Sequence, residues 1–264
     1  MTAREALRET ARILAEAGVP DPDVDAEWLV AHVLGTSRAG VHTGDRAVDA
    51  EALRALVERR ARREPLAYVL GEWGFRRLTL ATDRRALVPR PETEVLVERC
   101  LALLAPLESP RVLDVGVGSG AIALALADEA PHARVVGVDR SVEALALARE
   151  NAERLGLEVE LRPGGFEEAA AGWDLVVSNP PYVRPGEVEG LEPEVRDWEP
   201  REALVGQGLH EELARVARTR WLVLEVGDGQ APGVADALRR LGYAGVRLTP
   251  DLAGRERIVE GRRA

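Results

Sequence analysis

Two short segments of this 264-residue chain carry side chains whose types and spacing suit group transfer. The first reads Asp114-Val115-Gly116-Val117-Gly118-Ser119-Gly120, where the apolar run RVLDV meets an alanine-rich stretch of helical character. Glycines at such a strand-to-helix turn let backbone approach a ligand closely, at the place where open α/β sheets bind ligands. Asp139 closes the next apolar run nineteen residues after Gly120. A carboxylate there can accept from both hydroxyls of a ribose. Gly116, Gly118 and Ala121 also satisfy the dinucleotide pattern G-x-G-x-x-G/A, so the loop leaves S-adenosylmethionine, NAD and a purely structural turn as alternatives.

The second segment, Asn179-Pro180-Pro181-Tyr182, follows the apolar run WDLVVS. Asn before Pro is common in plain turns. Here a double proline stiffens the loop, an aromatic follows it, and the Asn is one of only two in the chain. In a parallel sheet this loop opens on the same edge as the glycine loop. Its chemistry would be methyl transfer to a planar NH2, which is a poor nucleophile until both hydrogens are held. The Asn179 side-chain oxygen and the Pro180 carbonyl are two such acceptors, and proline keeps its carbonyl rigidly aimed. Tyr182 would pack on the flat target group. His32, His42, His132 and His210 are scattered without metal-ligand spacing and read as surface or capping residues, so no metal is expected.

The elements that must position these segments follow from periodicity. Residues 1–67 read as a bundle of short helices: Thr2 with Glu5 forms a capping box before the first, which Gly18 and Pro20 end. A second spans 24–34 and stops at Gly35, and a third spans 50–63 and stops at Glu64-Pro65. Residues 68–90, with aromatics, Gly71, Gly74 and alternating Phe75, Leu78 and Leu80, suit a β-hairpin connector. In residues 91–264 helices alternate with continuous apolar strands, including one near 158–161, which indicates a doubly wound, mostly parallel sheet covered on both faces.

Composition narrows the function classes. All 35 basic residues are Arg, set against 45 acids, for a net charge of −10. Residues 1–80 hold 12 Arg and 13 acids and the remainder 23 and 32, so the excess acidity lies in the α/β part and disfavours a nucleic-acid substrate. The single Cys100 excludes an internal disulfide and reads as a buried small hydrophobe. No apolar signal core or run of 18 apolar residues occurs, so a cytoplasmic monomer without membrane attachment is expected. Arg59, Arg60, Arg62 and Arg63 read as a solvated helix face, with a basic docking patch as the alternative. The acidic stretch 187–199 reads equally as a mobile lid or a surface loop.

The spacing D-x-G-x-G-x-G, led by Asp114, resembles motif I of class I methyltransferases, and with a strand-end Asp and NPPY in this order the chain resembles those that act on amino groups. Arg63-Glu64-Pro65-Leu66-Ala67-Tyr68-Val69-Leu70-Gly71, Phe75, and Leu87-Val88-Pro89-Arg90-Pro91-Glu92-Thr93-Glu94 resemble the peptide chain release factor glutamine methyltransferase family. Glu199-Pro200-Arg201-Glu202-Ala203-Leu204, Leu224-Glu225-Val226-Gly227 and the run 251–257 fit the same pattern. The resemblance implies a class I methyltransferase domain behind a helical substrate-docking domain. It also implies methyl transfer from S-adenosylmethionine to the glutamine amide of the Gly-Gly-Gln motif of class 1 release factors, in translation termination. By position, Asp114, Gly116, Val117, Gly118, Ser119, Gly120 and Asp139 would hold the cofactor. Asn179 would touch cofactor and substrate, Pro180, Pro181 and Tyr182 would shape the glutamine pocket, and the run 89–94 would line the cofactor cleft. The family's acid beside the adenine is missing from Arg162-Pro163-Gly164-Gly165-Phe166, although Phe166 can stack on the base, and Gly206-Gln207-Gly208-Leu209 is a reduced form of a Gly-Gly-x-Asp-Gly pattern. Alternatives are a methyltransferase for a nucleic-acid base and a non-catalytic S-adenosylmethionine-binding translation factor.

Overall fold

The computed structural model describes residues 1–43 and 46–263. The chain divides into two compact units, one of Met1–Glu72 with Leu191–Trp198 and the other of Trp73–Gly190 with Glu199–Ala264.

In the first unit, α1 (Ala3–Glu16) starts at the capping box, with Glu5 N donating to Thr2 Oγ1 and Thr2 N to the Glu5 carboxylate. Helix α2 (Pro22–Leu34) ends at Gly35 in the left-handed region, and α3 (Ala50–Ala61) is capped by Asp49. The third helix stops two residues before the expected Arg63, which itself takes φ +63°. The run Tyr68–Leu70, expected to open the hairpin connector, is instead part of a helical turn, α4 (Leu66–Leu70), between Pro65 and Gly71. Its apolar side chains are buried, which a single helical turn allows and an exposed connector does not.

The Arg-rich face of α3 is not solvated as a whole. Arg60 is only 5% exposed, and its guanidinium meets Asp25 at 2.6 Å and Glu194 at 2.9 Å. Arg63 holds both oxygens of the same Glu194 at 2.6 Å, and Arg59 pairs with Glu64. A buried guanidinium requires such partners, because desolvating an unpaired charge costs several kcal/mol. Glu194 therefore fastens Leu191–Trp198 to this unit, so that part of the acidic stretch 187–199 is neither a free lid nor a free loop.

The second unit begins with the hairpin β1 (Glu72–Phe75) and β2 (Leu78–Ala81) and helix α5 (Pro91–Leu104). Then follow β3 (Arg111–Val115), α6 (Ala121–Glu129), β4 (Arg134–Asp139), α7 (Val142–Leu155), β5 (Glu160–Pro163) and β6 (Trp173–Ser178). After α8 (Pro193–Arg196), which belongs to the first unit, the second unit continues with α9 (Arg201–Leu204), α10 (Leu209–Val216), β7 (Thr219–Glu225), α11 (Ala231–Arg240), β8 (Ala244–Pro250) and β9 (Glu256–Arg262). The fifth strand starts two residues later than its apolar pattern suggests, because α7 ends at left-handed Gly156 and Leu157 and Val159 pack on the core during the reversal.

The seven-stranded sheet has the order β5-β4-β3-β6-β7-β9-β8. Its first five strands are parallel, and β9 runs antiparallel between β7 and β8. Successive residues feed opposite faces: Val112, Leu175, Val177 and Val223 join one core with α5 and α6, while Leu113, Val176, Leu222 and Leu224 join the other with α10 and α11. This is the doubly wound arrangement, and it brings the carboxyl ends of the parallel strands, Val115, Asp139, Ser178 and Glu225, to one edge.

Candidate active site

The glycine loop fills the turn between β3 and α6. Gly116, Gly118 and Gly120 have φ of +78°, +56° and +89°, values that L side chains rarely adopt. A Cβ on Gly116 would meet nothing within 4 Å and one on Gly118 only Ala86 at 3.9 Å, so both face open space, whereas one on Gly120 would strike Leu124 at 2.8 Å. The amides of Gly116 and Val117 donate to Val138 O at 2.9 and 3.0 Å, which ties the loop to β4. Asp139 accepts from Gly118 N and Ser141 N, both at 2.9 Å, and keeps further lone pairs on a half-buried carboxylate. Ser119 is 4% exposed, and its carbonyl accepts from the buried Asn151 amide at 2.9 Å. The same Asn151 side chain accepts from Ala81 N at 2.7 Å and donates to Ala81 O at 3.1 Å, joining β2 to the loop.

This hydrogen bonding bears on the alternatives that spacing leaves open. A pyrophosphate needs free amides at the loop and at the helix N-terminus. Here the amides of Gly116, Val117, Gly118 and Gly120 are spent inside the protein, and Ala123 N, in the first turn of α6, donates to Asp114 Oδ2 at 3.1 Å. Asp114 thus occupies the place an anion would take beneath the helix. It is fully buried, its Oδ1 has no partner among the described residues, and burial pushes its carboxyl up to about 8. The open glycine backbone and the acceptor lone pairs of the Asp139 carboxylate fit a ligand that carries ribose hydroxyls.

The NPPY segment leaves β6 beside this loop, and Ser178 Oγ donates to Val115 O at 2.7 Å across the neighbouring strand ends. Asn179 Nδ2 points to Thr93 Oγ1 at 3.4 Å, and Thr93 donates in turn to Glu225 Oε2 at 2.7 Å. The Asn179 oxygen and the Pro180 carbonyl have no protein partner among the described residues. Gly206 packs on the loop so closely that a Cβ there would lie 2.3 Å from Pro181 O. Gln230 accepts from Gly227 N and donates to Tyr182 O at 3.0 Å, and burial raises the Tyr182 hydroxyl pKa above the usual tyrosine range. The run 89–94 is braced by Glu199, whose two oxygens take the Arg90 guanidinium at 2.6 and 2.7 Å.

Three residues in this neighbourhood, Asn151, Glu225 and Gln230, carry no role in the sequence reading. All three hold backbone or another side chain; Glu225 lies within the family-like run 224–227, and the scarcity of side-chain amides, four in the chain, is the signal that could have exposed the other two. His210 departs from its surface reading: it is 7% exposed and its Nε2 lies 2.9 Å from Glu225 O. Phe166 opens a 3-10 turn after β5 with the Arg140 guanidinium 5.7 Å from its ring centre, and Glu167 beside it accepts from Gly165 N. A concavity of about 1140 Å³ between Arg111, Trp173, Arg218 and Arg262 lies at the opposite ends of the strands and shares no residue with these motifs.

Comparison with known proteins places this geometry. The PrmC N-terminal domain family matches residues 5–71, and the methyltransferase small domain family matches residues 92–191. A release factor glutamine methyltransferase of Deinococcus radiodurans is 44% identical, with 100% of this chain and 99% of the relative covered. That of Geobacter sulfurreducens is 42% identical over 99% of this chain and 96% of its own length. Among solved structures, the hMettl16 catalytic domain in complex with an RNA hairpin superposes with a TM-score of 0.59 at 15% identity, covering 78% of this chain and 81% of that one. The T. thermophilus 16S rRNA methyltransferase RsmC, in complex with AdoMet and guanosine, gives 0.52 at 20% identity, covering 73% and 50%. These two establish the class I methyltransferase fold, and the likeness to the two relatives runs along the whole length: the chain belongs to the release factor glutamine methyltransferase family.

Proposed function

We propose that this enzyme methylates the side-chain amide nitrogen of the glutamine in the Gly-Gly-Gln motif of class 1 peptide chain release factors. S-adenosylmethionine supplies an electrophilic methyl group: the new N–C bond forms as the S–C bond breaks, and the nitrogen gives up one proton to solvent. The glycine loop and Asp139 would hold the ribose end, with Phe166 against the adenine. The Asn179 oxygen and the Pro180 carbonyl would each accept one amide hydrogen, aiming the nitrogen lone pair at the methyl. Alignment of this kind saves up to ~7–11 kcal/mol of barrier.

The observation that carries the reading is that the Asn179 oxygen and the Pro180 carbonyl, one strand away from the glycine loop, both lack a partner among the described residues. The helical unit, whose residues 5–71 match a domain characteristic of the family, would dock the release factor, and residues 91–264 would carry the chemistry. The enzyme would act in the cytoplasm, as a monomer, on a protein substrate; no helix among the described residues is long and apolar enough to cross a membrane. A radiolabelled methyl transfer assay on purified release factor tests the proposal. Label must enter the Gly-Gly-Gln glutamine, and its absence there refutes the assignment.

A further inference from the structure

The role of Asn179 depends on which end of its amide faces the substrate. An oxygen turned to the glutamine NH2 accepts a proton, whereas an NH2 turned there sets donor against donor. The two ends are nearly the same size, so packing alone does not choose between them. The choice is made behind the side chain. Glu225, at the end of β7 and 2% exposed, takes the Thr93 hydroxyl proton on Oε2 at 2.7 Å. A hydroxyl that gives its only proton to a carboxylate can only accept from its other neighbour. That neighbour is Asn179 Nδ2, so the Asn179 oxygen is left pointing the other way.

We propose that Glu225 is a positioning residue for methyl transfer, acting chiefly through Thr93 and more weakly by direct contact with Asn179, to fix the Asn179 amide with its oxygen toward the substrate. This rests on the reading of Asn179 as an acceptor for the glutamine amide. Glu225 touches neither substrate nor cofactor in this scheme, and its proton is not transferred. The polarity of the relay requires the carboxylate form. A protonated Glu225 can donate to Thr93, which frees the Thr93 proton for the Asn179 oxygen and lets the amide turn over.

The surroundings place that change near neutrality. Burial pushes the Glu225 carboxyl up to about 7, against the hydrogen bonds from Thr93 and Asn179 that lower it. The charged and titratable groups around it are Glu92 on α5, which raises it, and Arg257 on β9, which lowers it. Tyr182 of the NPPY loop lies within its field, and His210 of α10 meets its backbone carbonyl.

The test is steady-state methyl transfer by the full-length chain to purified release factor, from about pH 5.5 to 8.5, where a required carboxylate shows as an acid limb. In the wild type, kcat is expected to fall as pH drops through about 7 while KM changes little. Glu225→Gln should lower kcat at high pH by about ten-fold or more and abolish the limb, with KM for release factor and cofactor within about three-fold. Thr93→Val should reproduce that loss, and Thr93→Ser, which keeps the hydroxyl, should restore kcat. If Glu225→Gln proves unfolded, the Thr93 pair decides alone. Wild-type kcat in Glu225→Gln with the limb intact, or in Thr93→Val, overturns the inference, as does a loss confined to KM. Failure of the wild type to label the glutamine overturns the proposed function instead.

Discussion

Asn151 offers a quantitative test of how the glycine loop is held. Its side chain is fully buried and makes three hydrogen bonds, to Ala81 N, Ala81 O and Ser119 O, at 2.7 to 3.1 Å. Asn151→Leu keeps the volume but leaves one amide and two carbonyls without that partner, all in residues less than 9% exposed. Each buried polar group left unsatisfied costs about 1–3 kcal/mol. Carbonyls tolerate this better than amides, and the three losses share one side chain, so the total falls near 3–5 kcal/mol rather than at the sum. Against a whole-protein stability of about 5–15 kcal/mol this is a large fraction. Urea unfolding with unchanged m-value should show it, and calorimetry should show weaker S-adenosylmethionine binding because Ser119 belongs to the loop. A loss below about 1 kcal/mol would refute the claim that this amide clamps β2 to the glycine loop.

Other changes separate the roles of neighbouring residues. Asn179→Ala should lower kcat by a few kcal/mol of barrier, on the scale of one oriented transition-state contact; unchanged turnover would contradict the two-acceptor scheme. Asp139→Ala removes the ribose acceptor together with the bonds from Gly118 N and Ser141 N, so calorimetry should show markedly weaker cofactor binding. Equal affinity would mean the ribose is held elsewhere. The Asp114 carboxyl, raised from an ordinary value near 3.8 to about 8, binds its proton more tightly folded than unfolded. Its contribution to stability is therefore complete below the unfolded value and is lost as pH rises toward about 8. Asp114→Asn should flatten that slope in urea titrations, and an unaltered slope would show that Asp114 is ionised in the folded protein.

The loop, the NPPY segment and the doubly wound pattern are local signals, which is why they are readable from residues alone. Charge pairing is not local: Glu194 lies 131 residues beyond Arg63, and no periodicity indicates that a stretch beyond β6 belongs with the N-terminal helices. Glu225 likewise sits in an apolar strand, where only the fold reveals that Thr93 arrives beside it. Side-chain amides are scarce in this chain: Asn151, Asn179, Gln207 and Gln230 are its four. Of the four, Asn151 and Gln230 brace the two loops of the site and Asn179 stands within it.

The central claim is that a protein glutamine, not an RNA base, receives the methyl group. Tritiated S-adenosylmethionine offered with purified release factor, with its Gly-Gly-Gln glutamine changed to alanine, and with bulk tRNA or rRNA tests it directly. Label is expected in the intact factor alone. Label in RNA, or label persisting in the factor that lacks the glutamine, would contradict it.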